Sequence, residues 1–198
     1  MKEILVLYYS HRGSVRALAE RLARGIESVP DCQARLRTVP KVSTVCESVE
    51  PTVPEKGAPY VEPVDLVECD GLALGSPVRF GNMAAPMKYF WDGTIAAWQN
   101  GSLVGKPACV FTSSGSLHGG NETTLISMML PLIHHGMLIM GIPHTEKGLS
   151  ETTQGGTPYG ASHVAGLTGN ATLSEIESRL AFVQGQRLAN LAIKLSRP

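Results

Sequence analysis

Ile4-Leu5-Val6-Leu7-Tyr8-Tyr9, followed at once by Ser10-His11-Arg12-Gly13-Ser14-Val15, is the stretch that decides the fold class. The six apolar residues are typical of a strand buried on both faces of a parallel sheet. A helix is predicted directly after them, with Ser14 as its cap. Its apolar residues recur at 3.6-residue spacing: Val15, Leu18, Ala19, Leu22 and Ile26. Residues 33–39 alternate as a second strand, so the chain opens with a βαβ unit.

The rest of the chain repeats this alternation of strands and helices. Further buried strands are predicted over residues 71–75, 108–111 and 137–142, and helices over 85–94, 121–133 and from 172 onward. Asn121 is the predicted cap of one helix, and Thr172-Leu173-Ser174-Glu175 fits a capping box for the last. That helix has an apolar stripe: Ile176, Leu180, Val183, Leu188, Leu191 and Leu195. The pattern predicts an α/β domain with a doubly wound parallel sheet of five strands.

Two long stretches without periodicity interrupt this pattern. Residues 40–63 contain five prolines, and residues 143–171 are rich in glycine and threonine. Structureless segments of this length inside a compact domain usually have a function or form an interface. Residues 95–107 are predicted as a shorter loop.

Composition restricts the possible functions. Lys plus Arg number 17 and Asp plus Glu number 17, so the formal net charge is zero, which argues against nucleic acid or acidic lipid as the main partner. No apolar stretch approaches the ~20 residues of a membrane span, and no signal peptide is evident. We therefore expect a cytoplasmic protein. The four cysteines, Cys32, Cys46, Cys69 and Cys109, have no Cys-x-x-Cys spacing, and we expect reduced thiols.

Two classes of enzyme chemistry are disfavoured by the motifs. Gly-x-Ser-x-Gly is absent, which argues against a hydrolase. The six histidines show no His-x-x-x-His spacing and no paired carboxylates, so we predict no metal site.

Three loops of unusual composition follow predicted strands: residues 10–15, 76–82 and 112–120. Ligands of doubly wound sheets bind beyond the carboxyl ends of the strands, so a site is predicted there. In the first loop, the N–H groups at the start of the helix can bind a phosphate. The hydroxyl groups of Ser10 and Ser14 can donate further hydrogen bonds to it, and Gly13 permits a tight turn. A single glycine excludes the dinucleotide fingerprint. The loop suits a terminal monophosphate such as that of FMN, although an ordinary turn has the same composition.

The second loop carries a family resemblance. Gly75-Ser76-Pro77-Val78-Arg79-Phe80-Gly81-Asn82-Met83 resembles the ring-binding loop of the WrbA-type quinone oxidoreductases, a flavodoxin-like family. Four more stretches match the same family in order: Leu7-Tyr8-Tyr9-Ser10, His118-Gly119-Gly120-Asn121-Glu122-Thr123, His134-His135-Gly136-Met137 and Gly155-Gly156-Thr157-Pro158-Tyr159-Gly160-Ala161. The five motifs extend over nearly the whole chain.

The resemblance implies a single flavodoxin-like domain over residues 1–198, with strand order 2-1-3-4-5. It also implies FMN as cofactor, NADH or NADPH as reductant, a quinone as substrate, and a ping-pong hydride transfer. The residues implied in FMN binding are Ser10, His11, Arg12, Gly13, Ser14, Val15, Ser76, Pro77, Val78, Arg79, Phe80, Gly81, Asn82, Ser113, Ser114, Gly115, Ser116, Leu117, His118, Gly119 and His134.

Two of the implied residues concern catalysis. Trp98 aligns with the aromatic that the family places over the flavin, where it would stack on a quinone or nicotinamide. His134 matches a position at the flavin pocket and could donate a hydrogen bond to a quinone oxygen. The residues alone equally suit a half-buried tryptophan and a histidine at a helix end. The resemblance further implies a homotetramer with shared flavin sites and residues 155–161 near an interface; plain surface loops are the alternative.

Arg12 departs from the family, in which many members have a tyrosine implicated in nucleotide contacts, so the choice between NADH and NADPH stays open. A second possible function is an electron-shuttling flavodoxin without substrate turnover. Such shuttles steer to partners by strong charge, which the zero net charge does not supply. A third possible function, suggested by the family name, is that of a regulator bound to a DNA-binding protein. The sequence shows no basic patch and no recognition helix that would support it.

Overall fold

A computed structural model describes residues 1–42, 57–169 and 171–196. Its sheet is parallel throughout, with strand order β2-β1-β3-β4-β5 and a sixth strand, β6, paired with β4. The strands are β1 Lys2–Tyr8, β2 Cys32–Thr38, β3 Gly71–Pro77, β4 Pro107–Ser114, β5 Leu138–Ile139 and β6 Ala161–Val164. The helices are α1 Ser14–Glu27, α2 Pro63–Glu68, α3 Ala85–Asp92, α4 Ile95–Gln99, α5 Asn121–His134, α6 Gly148–Glu151 and α7 Glu175–Leu195. The predicted strand order and doubly wound architecture are confirmed.

Hydrophobic cores cover both faces of the sheet, which explains the unbroken apolar runs. β3 and β4 are buried along their whole length, and β1 from Ile4 onward. One core lies under α1 and α7, and the other under α3 and α5. The helices α1 and α7 approach very closely: a Cβ on Gly25 would lie 1.9 Å from the carbonyl oxygen of Phe182. Glycine is therefore required at this crossing.

The fifth strand lies within the predicted range 137–142 but is shorter than predicted, and a sixth strand was not predicted. Only Leu138 and Ile139 pair with the start of β4. The chain then leaves the sheet, forms α6, and returns as β6, which pairs with the carboxyl half of β4 from Phe111 to Ser114. Pro143, which has no N–H for a sheet hydrogen bond, follows the departure. The insertion 143–171 therefore supplies the sheet edge beside the carboxyl end of β4.

The predicted helix caps are also corrected. Ser14 and Asn121 are the first residues of α1 and α5, and the caps are Gly13 and Gly120, with φ of +96° and +93°. Glycine is favoured because this left-handed backbone strains other residues. The capping box of α7 lies two residues later than predicted, between Ser174 and Glu177.

The apolar stripe predicted on α7 is only partly buried. Leu180 and Leu188 are fully buried, but Leu195 is 46% exposed. Alanines complete the buried face at Ala181, Ala189 and Ala192. Small residues fit because α7 packs tightly on α1.

Three short helices, α2, α4 and α6, were not predicted. The helix α4 occupies part of 95–107 and is too short to show an apolar period. The helix α2 begins at the end of the stretch 40–63, most of which lies outside the described residues. Cys32, Cys69 and Cys109 are free, buried thiols, and Cys46 lies outside the described part of the chain. None of the helices in the described ranges is long and apolar enough to cross a bilayer.

Candidate functional site

A cleft of about 320 Å³ opens where β1, β3 and β4 end. The three predicted loops all contribute to it. The residues from those loops are Ser10, His11, Arg12, Ser14, Val15, Pro77, Val78, Arg79, Ser113, Ser114 and Gly115. The chain therefore brings together most of the residues predicted to bind a cofactor, at the end of the sheet where doubly wound proteins hold ligands.

The first loop forms an anion site at the start of α1. Ser10 Oγ accepts hydrogen bonds from the N–H groups of Gly13 and Arg16, at 3.1 and 3.3 Å, which leaves its hydroxyl proton free to donate. Within the described residues, the N–H groups of Ser14 and Val15 donate to no protein acceptor. Unpaired N–H groups and the positive end of the helix dipole bind a phosphate well.

The second loop is a tight hairpin held by its own backbone. Arg79 and Asn82 exchange two hydrogen bonds, at 2.8 and 3.0 Å. Phe80 and Gly81 between them have φ of +53° and +76°, as in a type I′ turn. The side chain of Phe80 is fully exposed, outside the cleft lining of its own chain.

Ser76 supports this loop from behind. It is completely buried, and its Oγ accepts from the N–H of Ala84 at 2.8 Å. Asn82 Oδ1 accepts from the N–H of Met83 at 2.8 Å. Gly81 and Asn82, like Phe80, lie outside the cleft lining. Of the second loop, only Pro77, Val78 and Arg79 face the cleft.

The third loop reaches the cleft only at its beginning. Ser113, Ser114 and Gly115 line the cleft, and Ser114 Oγ donates to the carbonyl oxygen of Ser116 at 2.7 Å. The remaining predicted residues lie outside the lining: Ser116, Leu117, His118 and Gly119. Leu117 is 46% exposed.

A fourth wall comes from residues that the sequence reasoning missed. These are Ala165, Gly166, Leu167 and Gly169, which follow β6. The N–H of Ala165 donates to the carbonyl oxygen of Ser114 at 2.8 Å, and Arg12 Nη1 donates to that of Thr168 at 2.8 Å. The signal available was the glycine-flanked Gly166-Leu167-Thr168-Gly169 after a short apolar run.

A buried ion pair fixes this fourth wall. His163 Nδ1 lies 3.0 Å from Glu177 Oε2, and its Nε2 lies 3.0 Å from the carbonyl oxygen of Ala171. Burial opposes the charged form of His163, but the hydrogen bond and charge of Glu177 outweigh it and raise the pKa of His163. Burial by itself raises the pKa of Glu177. The hydrogen bonds from His163 and from the N–H groups of Ser174 and Val164 outweigh this effect and lower the pKa of Glu177 to about 2.

Trp98 and His134 lie together but away from this cleft. Trp98 Nε1 donates to the carbonyl oxygen of His134 at 2.8 Å. The helix α5 begins beside the cleft and runs 14 residues to His134, a length of about 20 Å. Its end leads into Leu138, which pairs with Pro107 at the amino end of β4. A chain therefore does not bring these two residues to its own cleft.

The residues that line the cleft fit FMN. The free N–H groups of Ser14 and Val15 suit its phosphate, and Pro77, Val78 and Leu167 supply apolar walls for a flat ring. Three or more His, Cys, Asp or Glu side chains do not converge as a metal site anywhere in the described ranges. Strand order, cleft position and loop chemistry together define a flavodoxin-like, FMN-binding protein.

Comparison with known proteins gives the family. Residues 3–145 match the family described as NADPH-dependent FMN reductase. A protein of Chromohalobacter salexigens named NAD(P)H dehydrogenase (quinone) is 42% identical over 200 residues, covering 99% of this chain and 100% of the relative. The chain belongs to the NADPH-dependent FMN reductase family, and its resemblance to the WrbA-type quinone oxidoreductases is confirmed.

Solved structures confirm the fold. A protein of Agrobacterium tumefaciens described as a flavodoxin, WrbA-like protein superimposes with a TM-score of 0.71 and 21% identity, over 98% of this chain and 99% of that chain. An archaeal flavodoxin gives a TM-score of 0.64 and 19% identity, over 96% and 99%.

Proposed function

We propose that the protein is an FMN-dependent NAD(P)H:quinone oxidoreductase. The observation that carries the proposal is the anion site at Ser14 and Val15, which opens directly into the apolar-walled cleft. The quinone dehydrogenase relative, 42% identical over its full length, supports the choice of reaction. The proposed place of action is the cytoplasm, where NADH and NADPH are available.

Each wall of the cleft has its own part in this proposal. The loop 10–15 holds the phosphate through backbone N–H groups. The N–H groups of Val78 and Arg79 already donate to the carbonyl oxygens of Ser113 and Asn82, so these two residues offer their own carbonyl oxygens to the polar edge of the ring. Bound FMN supplies hydride acceptance from NAD(P)H and two-electron transfer to a quinone. Ser76 is completely buried and is proposed to act only by holding the second loop in place. The other predicted cofactor contacts are proposed to act in the assembled protein: Phe80, Gly81, Asn82, Ser116, Leu117, His118, Gly119 and His134.

We further propose a homotetramer in which neighbouring chains complete each site. Trp98 and His134 lie about one length of α5 from their own cleft, so they can reach a flavin only in another chain. The face that carries them is apolar and exposed. Its large side chains are Ile95, Trp98, Ile126, Leu130 and Ile133, each between 44% and 63% exposed. An exposed apolar surface of this kind is typical of a protein interface.

Within the assembled site, Trp98 would offer a flat face for stacking against quinone or nicotinamide. His134 would donate a hydrogen bond to the quinone oxygen as negative charge develops there. His134→Ala should then lower quinone turnover by about 10²-fold while FMN stays bound. Unchanged turnover in the FMN-loaded variant would contradict this role.

Steady-state kinetics test the proposed reaction. FMN-loaded protein should oxidise NADPH or NADH several-fold faster when benzoquinone is present, with parallel double-reciprocal plots as expected for a ping-pong cycle. Intersecting plots would contradict the ping-pong order. An FMN-loaded protein that oxidises neither nucleotide with quinone would instead be the electron shuttle that the sequence left open.

Mixed assemblies test the shared site. Gly13→Val should abolish FMN binding, because the left-handed backbone at Gly13 does not accept a β-branched residue. Trp98→Ala should bind FMN but turn over slowly. If sites are shared, dissociating and reassembling the two inactive variants together restores part of the activity, because one chain supplies the cleft and another supplies Trp98. No recovery after verified subunit exchange would contradict the shared site.

A further inference from the structure

A second groove leaves the cleft beside the phosphate loop. It has a volume of about 590 Å³ and runs between the outer face of α1 and the residues before α7. Arg12, Ser14 and Gly169 line both the cleft and the groove. A ligand can therefore extend from one into the other without leaving the protein surface.

The groove concentrates positive charge. Four arginines, Arg12, Arg16, Arg21 and Arg24, line it with a single glutamate, Glu20, in a chain whose formal net charge is zero. Arg16 Nε lies 3.7 Å from Glu20. Among the described residues, Arg21 and Arg24 form no ion pair and no hydrogen bond through their side chains. Two exposed guanidinium groups thus remain to bind an anion.

The distance of Arg21 and Arg24 from the phosphate loop indicates which anion they can bind. They lie 8 and 11 residues beyond Gly13 along α1, about 12 and 17 Å from the phosphate loop at 1.5 Å per residue. That distance is too long for a group attached directly at the flavin phosphate, but it suits the far end of a dinucleotide. The groove is also lined by Leu173. Leu173 and Arg21 in addition line an adjacent pocket that contains Phe182, and these two apolar side chains, Leu173 and Phe182, offer surface for an adenine ring.

We propose that this groove binds the adenosine 2′-phosphate of NADPH, with Arg21 and Arg24 on the phosphate, and so makes the protein selective for NADPH over NADH. Guanidinium groups bind phosphate monoesters through paired, charge-assisted hydrogen bonds, and NADH has no such group. Arg12, held by the carbonyl oxygen of Thr168, would meet the pyrophosphate on the way. This inference rests on the proposed function for the identity of the reductant.

The test compares two double variants of the FMN-loaded protein. Arg21→Gln/Arg24→Gln removes the two groove cations. Lys88→Gln/Lys194→Gln removes two exposed cations elsewhere, on α3 and at the end of α7. Calorimetric titration with 2′,5′-ADP should show binding at least about tenfold weaker in the arginine variant and unchanged in the lysine control. Binding to the unaltered protein should weaken as salt rises.

Kinetics give the second comparison. In the arginine variant kcat/KM for NADPH should fall about tenfold, while kcat/KM for NADH changes less than twofold. Equal losses for both nucleotides would overturn the proposal, as would equal affinity of the unaltered protein for 5′-AMP and 2′,5′-ADP. Tighter binding of FAD than of FMN, lost in the arginine variant, would assign the groove to the adenosine half of FAD and overturn it too. If neither nucleotide is oxidised, the proposed function fails, and the 2′,5′-ADP titration alone decides the groove.

Discussion

Phe80 combines an unfavourable backbone conformation with an exposed aromatic side chain. Its φ of +53° lies in the left-handed region, and its ring is fully exposed. A non-glycine residue in that region costs about 1–2 kcal/mol, and an exposed ring gains nothing from burial. Strain of this kind is found where a loop has a function. We interpret the ring of Phe80 as part of the surface that an incoming substrate meets.

Phe80→Asn should separate stability from function. Asn-Gly is the favoured pair for a type I′ turn, so we expect the free energy of unfolding to rise by about 1 kcal/mol. Quinone turnover should fall, because the aromatic ring is lost. Urea denaturation and steady-state assays measure the two effects, and Phe80→Tyr serves as the control that retains turnover. A variant as active as the unaltered protein would contradict the role of the ring.

Gly13 offers a second test at this scale, with a matched control in Gly105. Both glycines have positive φ, +96° and +75°, and a Cβ would meet nothing closer than 3.9 Å at either position. Replacing either with Ala should lower the free energy of unfolding by about 1 kcal/mol through backbone strain. Only Gly13→Ala should weaken FMN binding, measured by quenching of flavin fluorescence. Equal FMN affinity in the two variants would argue against the phosphate loop.

Among the elements, β6 and the start of α7 determine the fourth wall of the cleft. Glu177 accepts from the N–H groups of Gly155, Val164 and Ser174, at 2.8 to 3.0 Å, and pairs with His163. One buried carboxylate thus ties the insertion, β6 and the helix cap together. Breaking a buried pair by removing one partner typically costs about 3–5 kcal/mol.

Glu177→Gln should therefore destabilise the protein by about 3 kcal/mol, in a pH-dependent way. The pKa of Glu177 is lowered from 4.5 to about 2 in the folded chain, so its contribution is present above pH 4.5 and lost as pH falls toward 2. The pKa of His163 is raised above 6.5, so its contribution is full below 6.5 and lost as pH rises through the folded value.

The difference in unfolding free energy between Glu177→Gln and the unaltered protein should thus be largest between about pH 4.5 and 6.5. Denaturant titrations across pH 3 to 9 measure it. Glu175→Gln, an exposed change in the same helix turn, is the control, with an expected effect of about 0.5 kcal/mol. A difference that does not vary with pH would contradict the charged pair.

The sequence predicted the elements whose signals are local. The strands β1, β3 and β4 are continuous apolar runs, and the three loops after them form one cleft as predicted, because parallel strands end at a common edge. The strand β6 is four residues, and its pairing with β4 across the insertion is a long-range choice that no local pattern contains. The wall at residues 165–169 depends on that pairing, so it was missed as well.

A sequence motif also could not predict that Trp98 and His134 lie far from the cleft of their own chain. A sequence match gives each residue a role but not the chain in which it performs that role. The course of α5 in the structure shows that, within one chain, Trp98 and His134 lie about 20 Å from the cleft. The cleft faces one end of the sheet and the exposed apolar face lies toward the other, which is an arrangement suited to assembly of several copies.

Leu130→Glu should disrupt that assembly. Leu130 is 57% exposed in the middle of the apolar face of α5, and a charge buried against another chain is strongly unfavourable. We expect a smaller species by light scattering, weaker FMN binding because contacts made by neighbouring chains are lost, and quinone turnover at least tenfold lower. Leu195→Glu makes the same change at a leucine that is 46% exposed at the end of α7 and should change none of these. A fully active monomer would contradict shared sites.

The most direct test of the central claim follows the absorption of bound FMN under anaerobic conditions. FMN-loaded protein should lose its visible flavin band when NADPH is added and regain it when one equivalent of benzoquinone follows. Protein that binds no FMN would contradict the account of the cleft. Protein that binds FMN but is neither bleached by NADPH or NADH nor restored by quinone would contradict the proposed oxidoreductase.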